Sequence, residues 1–169
     1  CMPAAVSAAA SSNPAVTNCS FSSNLAIGGG GMYNFASLNP TITDCTFREN
    51  KAGSGGGMLN SVDSSPAVTK CTFSGNTITG TANSVGIGGG MWNSFRSSPV
   101  VINCTFSRNF GNFTTGGGGM FNNINSHPIV INSIFNGNSA GKGAGIYNLL
   151  SGPKLINCTL YANSAVQQG

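Results

Sequence analysis

Hydrophobic and polar positions along this chain recur with a period of 25 to 33 residues. A small residue marks each repeat, a large apolar residue follows two positions later, and an asparagine follows five positions later. A proline lies five residues before each small residue. Six repeats that agree at four positions indicate a repeat architecture. The small residues are Cys19, Cys45, Cys71, Cys104, Ser133 and Cys158.

The other columns of the repeat are equally regular. The large apolar residues are Phe21, Phe47, Phe73, Phe106, Phe135 and Leu160. The asparagines are Asn24, Asn50, Asn76, Asn109, Asn138 and Asn163. A Gly-rich segment between successive repeats ends in Met32, Met58, Met91, Met120 or Ile146. Two residues later a second asparagine column follows, with Asn34, Asn60, Asn93, Asn122 and Asn148.

The residue types within the repeat predict β-strands. Val, Ile, Thr, Phe and Cys form short runs bounded by Pro, Gly and Asn, without a helical period. Because side chains alternate across a strand, Cys45 and Phe47 face inward together. The earlier apolar residue Ile42 can face inward as well only if the chain bends before Cys45. Residues before the Cys column are mostly Asn or Asp, which tolerate the left-handed conformation of such a bend.

These features predict an all-β fold, a right-handed parallel β-helix (β-solenoid) of about six coils with three short strands each. Residues 1–169 form a single domain whose coils are centred on the Cys column. Coils that stack about 4.8 Å apart give a rod roughly 29 Å long. The right hand follows from the chirality of parallel crossovers. Equivalent asparagines then lie above one another and are expected to form hydrogen bonds along the axis.

Composition excludes several classes of function. Charged residues make up 6% of the chain, against about a quarter in ordinary domains, yet 40% of residues are hydrophobic, which argues against disorder. The seven cations are scattered, whereas nucleic-acid binding needs clustered Lys and Arg. No apolar run approaches the roughly 18 residues of a membrane span. We therefore expect neither a nucleic-acid partner nor a membrane span.

Five segments of the form Phe-x-x-Asn resemble the FxxN motif of polymorphic outer-membrane protein repeats. They begin at Phe21, Phe47, Phe73, Phe106 and Phe135. That family pairs the motif with a Gly-Gly-Ala-Ile-like segment, to which Gly-Ala-Gly-Ile at 143–146 and the Gly-Gly-Gly-Met segments are similar. The resemblance covers nearly the whole chain. It implies a right-handed β-helix in a secreted or surface-displayed passenger region, often an adhesive one, and therefore an extracellular or cell-surface location.

The two ends of the chain read as parts of one shared coil. If Gly169 is followed by Cys1 of another copy, eight steps from Asn163 lead to Met2, which is the Asn-to-Met spacing of the first full coil. The pattern predicts head-to-tail stacking into a filament, between separate or covalently tandem copies. A cut piece of one longer solenoid is the alternative. The predicted assembly interface comprises Cys1, Met2, Cys158, Leu160, Asn163 and Gly169.

Enzymatic chemistry is not expected. Polysaccharide-active β-helices need paired carboxylates or an acid-bound Ca²⁺, and this chain has only Asp44, Glu49 and Asp63, which share no column. His127 is the only histidine and has no acidic neighbour in the sequence. The cysteines lack the spacing of zinc ligands. We expect no catalytic, cofactor or metal residues, and buried free thiols are favoured slightly over disulfides between stacked coils.

The residue after each Met-column position is Tyr33, Leu59, Trp92, Phe121 or Tyr147. If Met and the following Asn face inward, these five form an outward-facing apolar stripe that could contact sugars or a neighbouring filament. The opposite parity would make them core residues. Four sequons for N-glycosylation occur as well, at Asn18, Asn103, Asn112 and Asn157. Asn112 is the best glycan candidate because it lies in a long insertion, whereas the other three belong to the bend.

Together these observations predict a secreted, non-enzymatic β-solenoid that forms the structural subunit of an extracellular filament or surface layer, with itself as partner. The alternative is a carbohydrate-binding adhesin that uses the aromatic stripe, with glycans as partners. A polysaccharide-active enzyme comes third.

Overall fold

Parallel β-sheets run the length of the described chain. The computed structural model describes residues 13–79, 87–114 and 116–166, together with the backbone of residues 6–7. These residues contain strands and turns but no helix, and so no helix that could cross a membrane. The all-β solenoid predicted from the repeat is confirmed, with about six coils stacked in register.

Three six-stranded parallel sheets form the sides of the coil. The Met sheet contains Val6–Ser7, Met32–Phe35, Met58–Ser61, Met91–Ser94, Met120–Asn123 and Ile146–Leu149. The Val sheet contains Ala15–Thr17, Thr41–Thr43, Ala67–Thr69, Val100–Ile102, Ile129–Ile131 and Lys154–Ile156. The Phe sheet contains Ser20–Ser22, Thr46–Arg48, Thr72–Ser74, Thr105–Ser107, Ile134–Asn136 and Thr159–Tyr161.

A short fourth strand, which the repeat pattern did not predict, follows the first asparagine column. Leu25–Gly28, Lys51–Ser54 and Thr77–Ile78 form one small sheet, and Ser139–Ala140 pairs with Ser164–Ala165. Phe110 lies between these two small sheets and forms single parallel β-bridges to Thr77 and Ser139. The added strand is possible because the residue before each asparagine, for example Glu49 with φ 54°, adopts a left-handed conformation. Since that position holds Ser, Glu, Gly, Arg and Ala, its residue types do not reveal the bend.

The bend between the Val and Phe sheets is confirmed. All six residues before the Cys column have a left-handed backbone, with φ between 48° and 55°. They are Asn18, Asp44, Lys70, Asn103, Asn132 and Asn157. The bend reverses the side-chain parity, so that both Ile42 and Cys45 are buried in the same core.

Identical side chains stack along the axis of the core. The rings of Phe21, Phe47, Phe73, Phe106 and Phe135 lie 4.6–4.8 Å apart and within 9° of parallel. The Met column, the Cys column and the β-branched residues of the Val sheet complete the same core. Because each coil buries its apolar face only against its neighbours, the stack of coils makes the core continuous.

The register of the first coil corrects the predicted junction. Val6 pairs with Met32, so Val6 and not Met2 occupies the Met column of that coil. The spacing explains the correction, since Val6 precedes Cys19 by 13 residues, as Met32 precedes Cys45. A junction in which Gly169, Cys1 and Met2 replace Gly-Gly-Met is therefore out of register. Cys1, Met2 and Gly169 lie outside the described residues.

Candidate functional site

The predicted contact stripe lies on the outer face of the Met sheet but is only partly exposed. Met58 and Asn60 are buried inward, so Leu59 between them points outward, and the strand register aligns the five stripe residues. Tyr33, Trp92 and Tyr147 are half-buried. The prediction that the other two stripe residues are exposed is wrong, since Leu59 is 6% and Phe121 1% exposed.

Neighbouring side chains explain the burial of the two covered stripe residues. The Phe121 ring stacks on Tyr147 at 5.2 Å and tilts against Trp92 at 6.4 Å. Leu59 packs against Gly28, where a Cβ atom would lie 3.0 Å from Leu59 Cδ2. Alternation along the strand predicts which way these side chains point, but their burial depends on contacts with other coils.

An apolar groove lies over Leu59. It has a volume of about 440 Å³ and is lined by Ile27, Gly28, Tyr33, Ser54, Leu59 and Trp92. Two of its walls are aromatic rings from the Met sheet, while Ile27, Gly28 and Ser54 come from the unpredicted fourth strand. The alternation of apolar Leu25 and Ile27 after Asn24 was the only sequence signal for that wall. Burial raises the pKa of the Tyr33 phenol above its ordinary value, so this ring adds no charge to the groove.

The first asparagine column is a directional ladder of hydrogen bonds. In each rung the backbone N–H and the Nδ2 amide of one asparagine donate to Oδ1 of the next, over 2.8–3.1 Å. From Asn50 onward, Nδ2 also donates to a carbonyl of the preceding coil, as in Asn50 to Phe21. The same pattern runs through to Asn163. The ladder therefore has an acceptor end at Asn24 and a donor end at Asn163.

The acceptor end of the ladder has no donor among the residues that the structure describes. Asn24 is 5% exposed, and no donor in the described residues reaches its buried Oδ1 atom. At the other end Asn163 is half-buried and is followed by no further rung among the described residues. A buried acceptor without a partner costs about 1–3 kcal/mol, so this atom needs a physical explanation.

The described residues of the predicted assembly interface lie together on the last coil. Leu160 pairs with Phe135 in the Phe sheet and is 46% exposed, whereas Phe135 is fully buried. Cys158 and Asn163 are half-buried on the same coil. The structure thus brings three of the six predicted residues to one face, and the other three lie outside the described residues.

The prediction that Asn112 is the best glycan site is wrong. Asn112 is buried, and its Oδ1 atom accepts hydrogen bonds from the backbone N–H and the hydroxyl of Thr114. Its Nδ2 atom, which would carry the sugar, is buried as well. Its position in a long insertion predicted an exposed side chain, but the Asn112 side chain folds back onto its own turn. Asn18, Asn103 and Asn157 are exposed at the bend, so glycosylation there stays a prediction.

Two of the three acidic side chains and the histidine have structural partners, whereas Asp44 is exposed at the bend. Asp63 accepts two hydrogen bonds from Arg96, at 2.9 and 2.7 Å, and this contact lowers the pKa of the Asp63 carboxyl. Glu49 pairs with Arg48 at 3.1 Å. His127 Nδ1 accepts a hydrogen bond from the Gly152 backbone at 2.9 Å. In the part of the chain that the structure describes, no group of three His, Cys, Asp or Glu side chains could hold a metal.

The five described cysteines carry free thiols. Within the column, the Cys71 thiol donates to the Thr69 carbonyl at 3.2 Å, and its sulfur accepts the backbone N–H of Cys45 at 3.4 Å. Burial raises the pKa of Cys45, and a hydrogen bond with Cys104 together with burial raises that of Cys71. These sulfurs act as small core groups that also form hydrogen bonds.

Alkylation should distinguish these thiols. A raised pKa keeps Cys71 protonated at pH 8, and the thiolate is the reactive form, so we expect iodoacetamide to label Cys71 at least about tenfold more slowly than half-buried Cys158. Peptide mass spectrometry measures both rates in one sample, and unfolding in urea should equalise them. Equal rates in the folded protein would contradict the buried column.

Comparison with known proteins agrees with this fold. The family model described as right handed beta helix region matches residues 4–168. No curated protein and no solved structure matches the chain.

Proposed function

The chain belongs to the right-handed β-helix family, and we propose that it is a non-enzymatic structural solenoid that stacks end to end with further copies of itself. The observation that carries this proposal is the polarity of the asparagine ladder. One end presents a buried acceptor at Asn24 that receives no donor from the described residues, and the other presents the donor groups of Asn163. Both the filament and its extracellular location belong to the proposal, and the resemblance to surface-displayed FxxN repeats supports the location.

The two ladder ends complement each other. In the interior each Oδ1 atom receives two hydrogen bonds from the preceding asparagine, as Asn76 does from Asn50. An Asn163 stacked before Asn24 would supply the same two bonds to Asn24 Oδ1. The contact joins two different faces, so it is heterologous and can continue as an open filament. A preceding coil of another sequence in the same chain is the competing partner for Asn24.

Apolar burial adds to the polar match. Leu155 and Leu160 are 43% and 46% exposed on the last coil, while Val130 and Phe135 in the same columns are fully buried. A further coil would cover both leucines, and each Å² of apolar surface removed from water contributes about 25 cal/mol. The strands of this coil also keep one unpaired backbone edge among the described residues, which a parallel strand would satisfy.

The non-enzymatic part of the proposal is supported by the state of the acids. Asp63 and Glu49 are each paired with an arginine at the surface, and Asp44 is exposed, so none of the three lies in the buried environment that a general acid needs. A general acid working near neutral pH needs a raised pKa, whereas the contact with Arg96 lowers that of Asp63.

Leu160→Glu tests the end-on contact. A carboxylate at this position would be desolvated by a stacked coil, so we expect the variant to stay monomeric. Wild-type protein should form thin fibres with a subunit repeat of about 29 Å, from six coils at the strand spacing. Negative-stain microscopy and sedimentation velocity over a concentration series measure both outcomes.

Tyr161→Glu is the matched control. Tyr161 lies next to Leu160 on the same strand but is exposed on the side of the solenoid, so its substitution should leave assembly intact. Asn163→Ala removes the donor side chain and should weaken assembly. Wild-type protein that remains monomeric at every concentration would refute the proposal, as would fibres that form equally well with Leu160→Glu.

A further inference from the structure

We propose that the groove over Leu59 binds a neutral, extended polysaccharide by stacking its sugar rings on Tyr33 and Trp92. This binding site lies on the side of the solenoid and does not depend on the end-on contact. Its volume of about 440 Å³ falls within the range of roughly 300–1,000 Å³ that is usual for ligand sites.

The Trp92 ring is held in place before any ligand arrives. Its Nε1 atom donates a hydrogen bond to Asn123 Oδ1 at 3.1 Å, and its ring tilts against Phe121 at 6.4 Å. Both contacts come from the next coil, whereas the groove lies toward Leu59 and Tyr33 on the preceding coils. A ring fixed in this way loses little further conformational entropy on binding.

The spacing of the two aromatic walls suits a sugar chain. Tyr33 pairs in register with Leu59, and Leu59 pairs with Trp92, so the two rings belong to strands roughly 10 Å apart. That separation is too wide for direct ring stacking and is comparable to the length of a disaccharide. The buried Leu59 between them forms an apolar floor, on which the C–H face of a pyranose ring can lie.

The absence of charged residues from the lining of the groove favours a neutral ligand. None of its six lining residues is charged, and burial favours the neutral form of the Tyr33 phenol. An anionic polymer would lose hydration here without gaining an ion pair. The Ser54 side chain adds a hydroxyl to the lining, which a sugar with many hydroxyls can use and a lipid chain cannot.

Trp92 is the only tryptophan of the chain, so its fluorescence reports on this groove alone. Titration with cellohexaose, xylohexaose and mannohexaose is expected to shift its emission saturably for at least one of the three. A trigalacturonate titration should give no shift, because that oligosaccharide is anionic. These titrations are best made in the Leu160→Glu background, so that assembly does not affect the signal and failure of one proposal leaves the other testable.

Two variants and one control make the assignment specific. Tyr33→Ala removes one stacking wall and should weaken binding about tenfold or more. Gly28→Leu should abolish it by filling the groove, since the added Cβ meets only the flexible end of Leu59. Phe95→Ala removes an aromatic ring that is 45% exposed outside the groove and should leave affinity unchanged.

The circular dichroism spectrum of each variant should match that of the wild type, which checks that the fold persists. Three results would overturn the proposal: no fluorescence shift with any neutral oligosaccharide, full binding by Gly28→Leu, or a shift with trigalacturonate as large as that with the neutral oligosaccharides.

Discussion

Replacing Phe106 with alanine is expected to destabilise the solenoid by about 3–5 kcal/mol, the usual cost of removing a buried phenylalanine. The Phe106 ring is fully buried and lies 4.7 Å from Phe73 and 4.6 Å from Phe135, within 2° of parallel to both. Removing the ring opens a cavity in the middle of the stack, and the paired strands of the three sheets hold the backbone too firmly to close it. Urea unfolding monitored by far-UV circular dichroism measures the change.

Phe95→Ala is the control for this prediction. Phe95 is 45% exposed, so its removal should shift the free energy of unfolding by no more than about 0.5 kcal/mol. Phe106→Leu should fall between the two, because leucine fills part of the cavity and the sixth coil already carries Leu160 in this column. A Phe106→Ala protein as stable as Phe95→Ala would show that the ring stack is not part of the stabilising core.

Replacing Asn76 with alanine is expected to cost at least about 3 kcal/mol, although the residue is polar. Its Nδ2 atom donates to the Phe47 carbonyl and to Asn109 Oδ1, each at 2.9 Å. Its Oδ1 atom accepts from the backbone and the side chain of Asn50. Four hydrogen bonds would be lost, each worth about 0.5–1.5 kcal/mol, and the buried Asn50 backbone N–H would lose its partner.

Asn136→Ala is the matched control for the ladder. Asn136 lies two residues before the ladder residue Asn138, at the end of a Phe-sheet strand. Among the described residues its side chain makes one hydrogen bond, to the Tyr161 hydroxyl at the surface. We expect a loss near 0.5 kcal/mol in the same urea unfolding experiment. If Asn76→Ala cost no more than Asn136→Ala, the amide ladder would contribute little, and the argument from its unsatisfied end at Asn24 would weaken with it.

The sequence by itself determined the columns, the strand class and the side that most residues face. Stacked coils must place like residues above like, because parallel strands pair residue by residue, so the spacing of Cys, Phe, Asn and Met predicts the three main sheets. The left-handed bend before the Cys column was also readable, since Asn and Asp tolerate that conformation and the parity of Ile42 and Cys45 demands it. These are local properties of each repeat.

Only the tertiary structure decided which outward side chains are covered and which polar atoms lack partners. Phe121 and Leu59 point outward as predicted, yet rings and backbone of other coils bury them, and Asn112 folds onto its own turn. The fourth strand, which supplies one wall of the groove, depends on a bend at positions with variable residues. Burial and hydrogen-bond satisfaction depend on contacts between coils, and the repeat pattern specifies the order of residues within a coil but not what covers its surface.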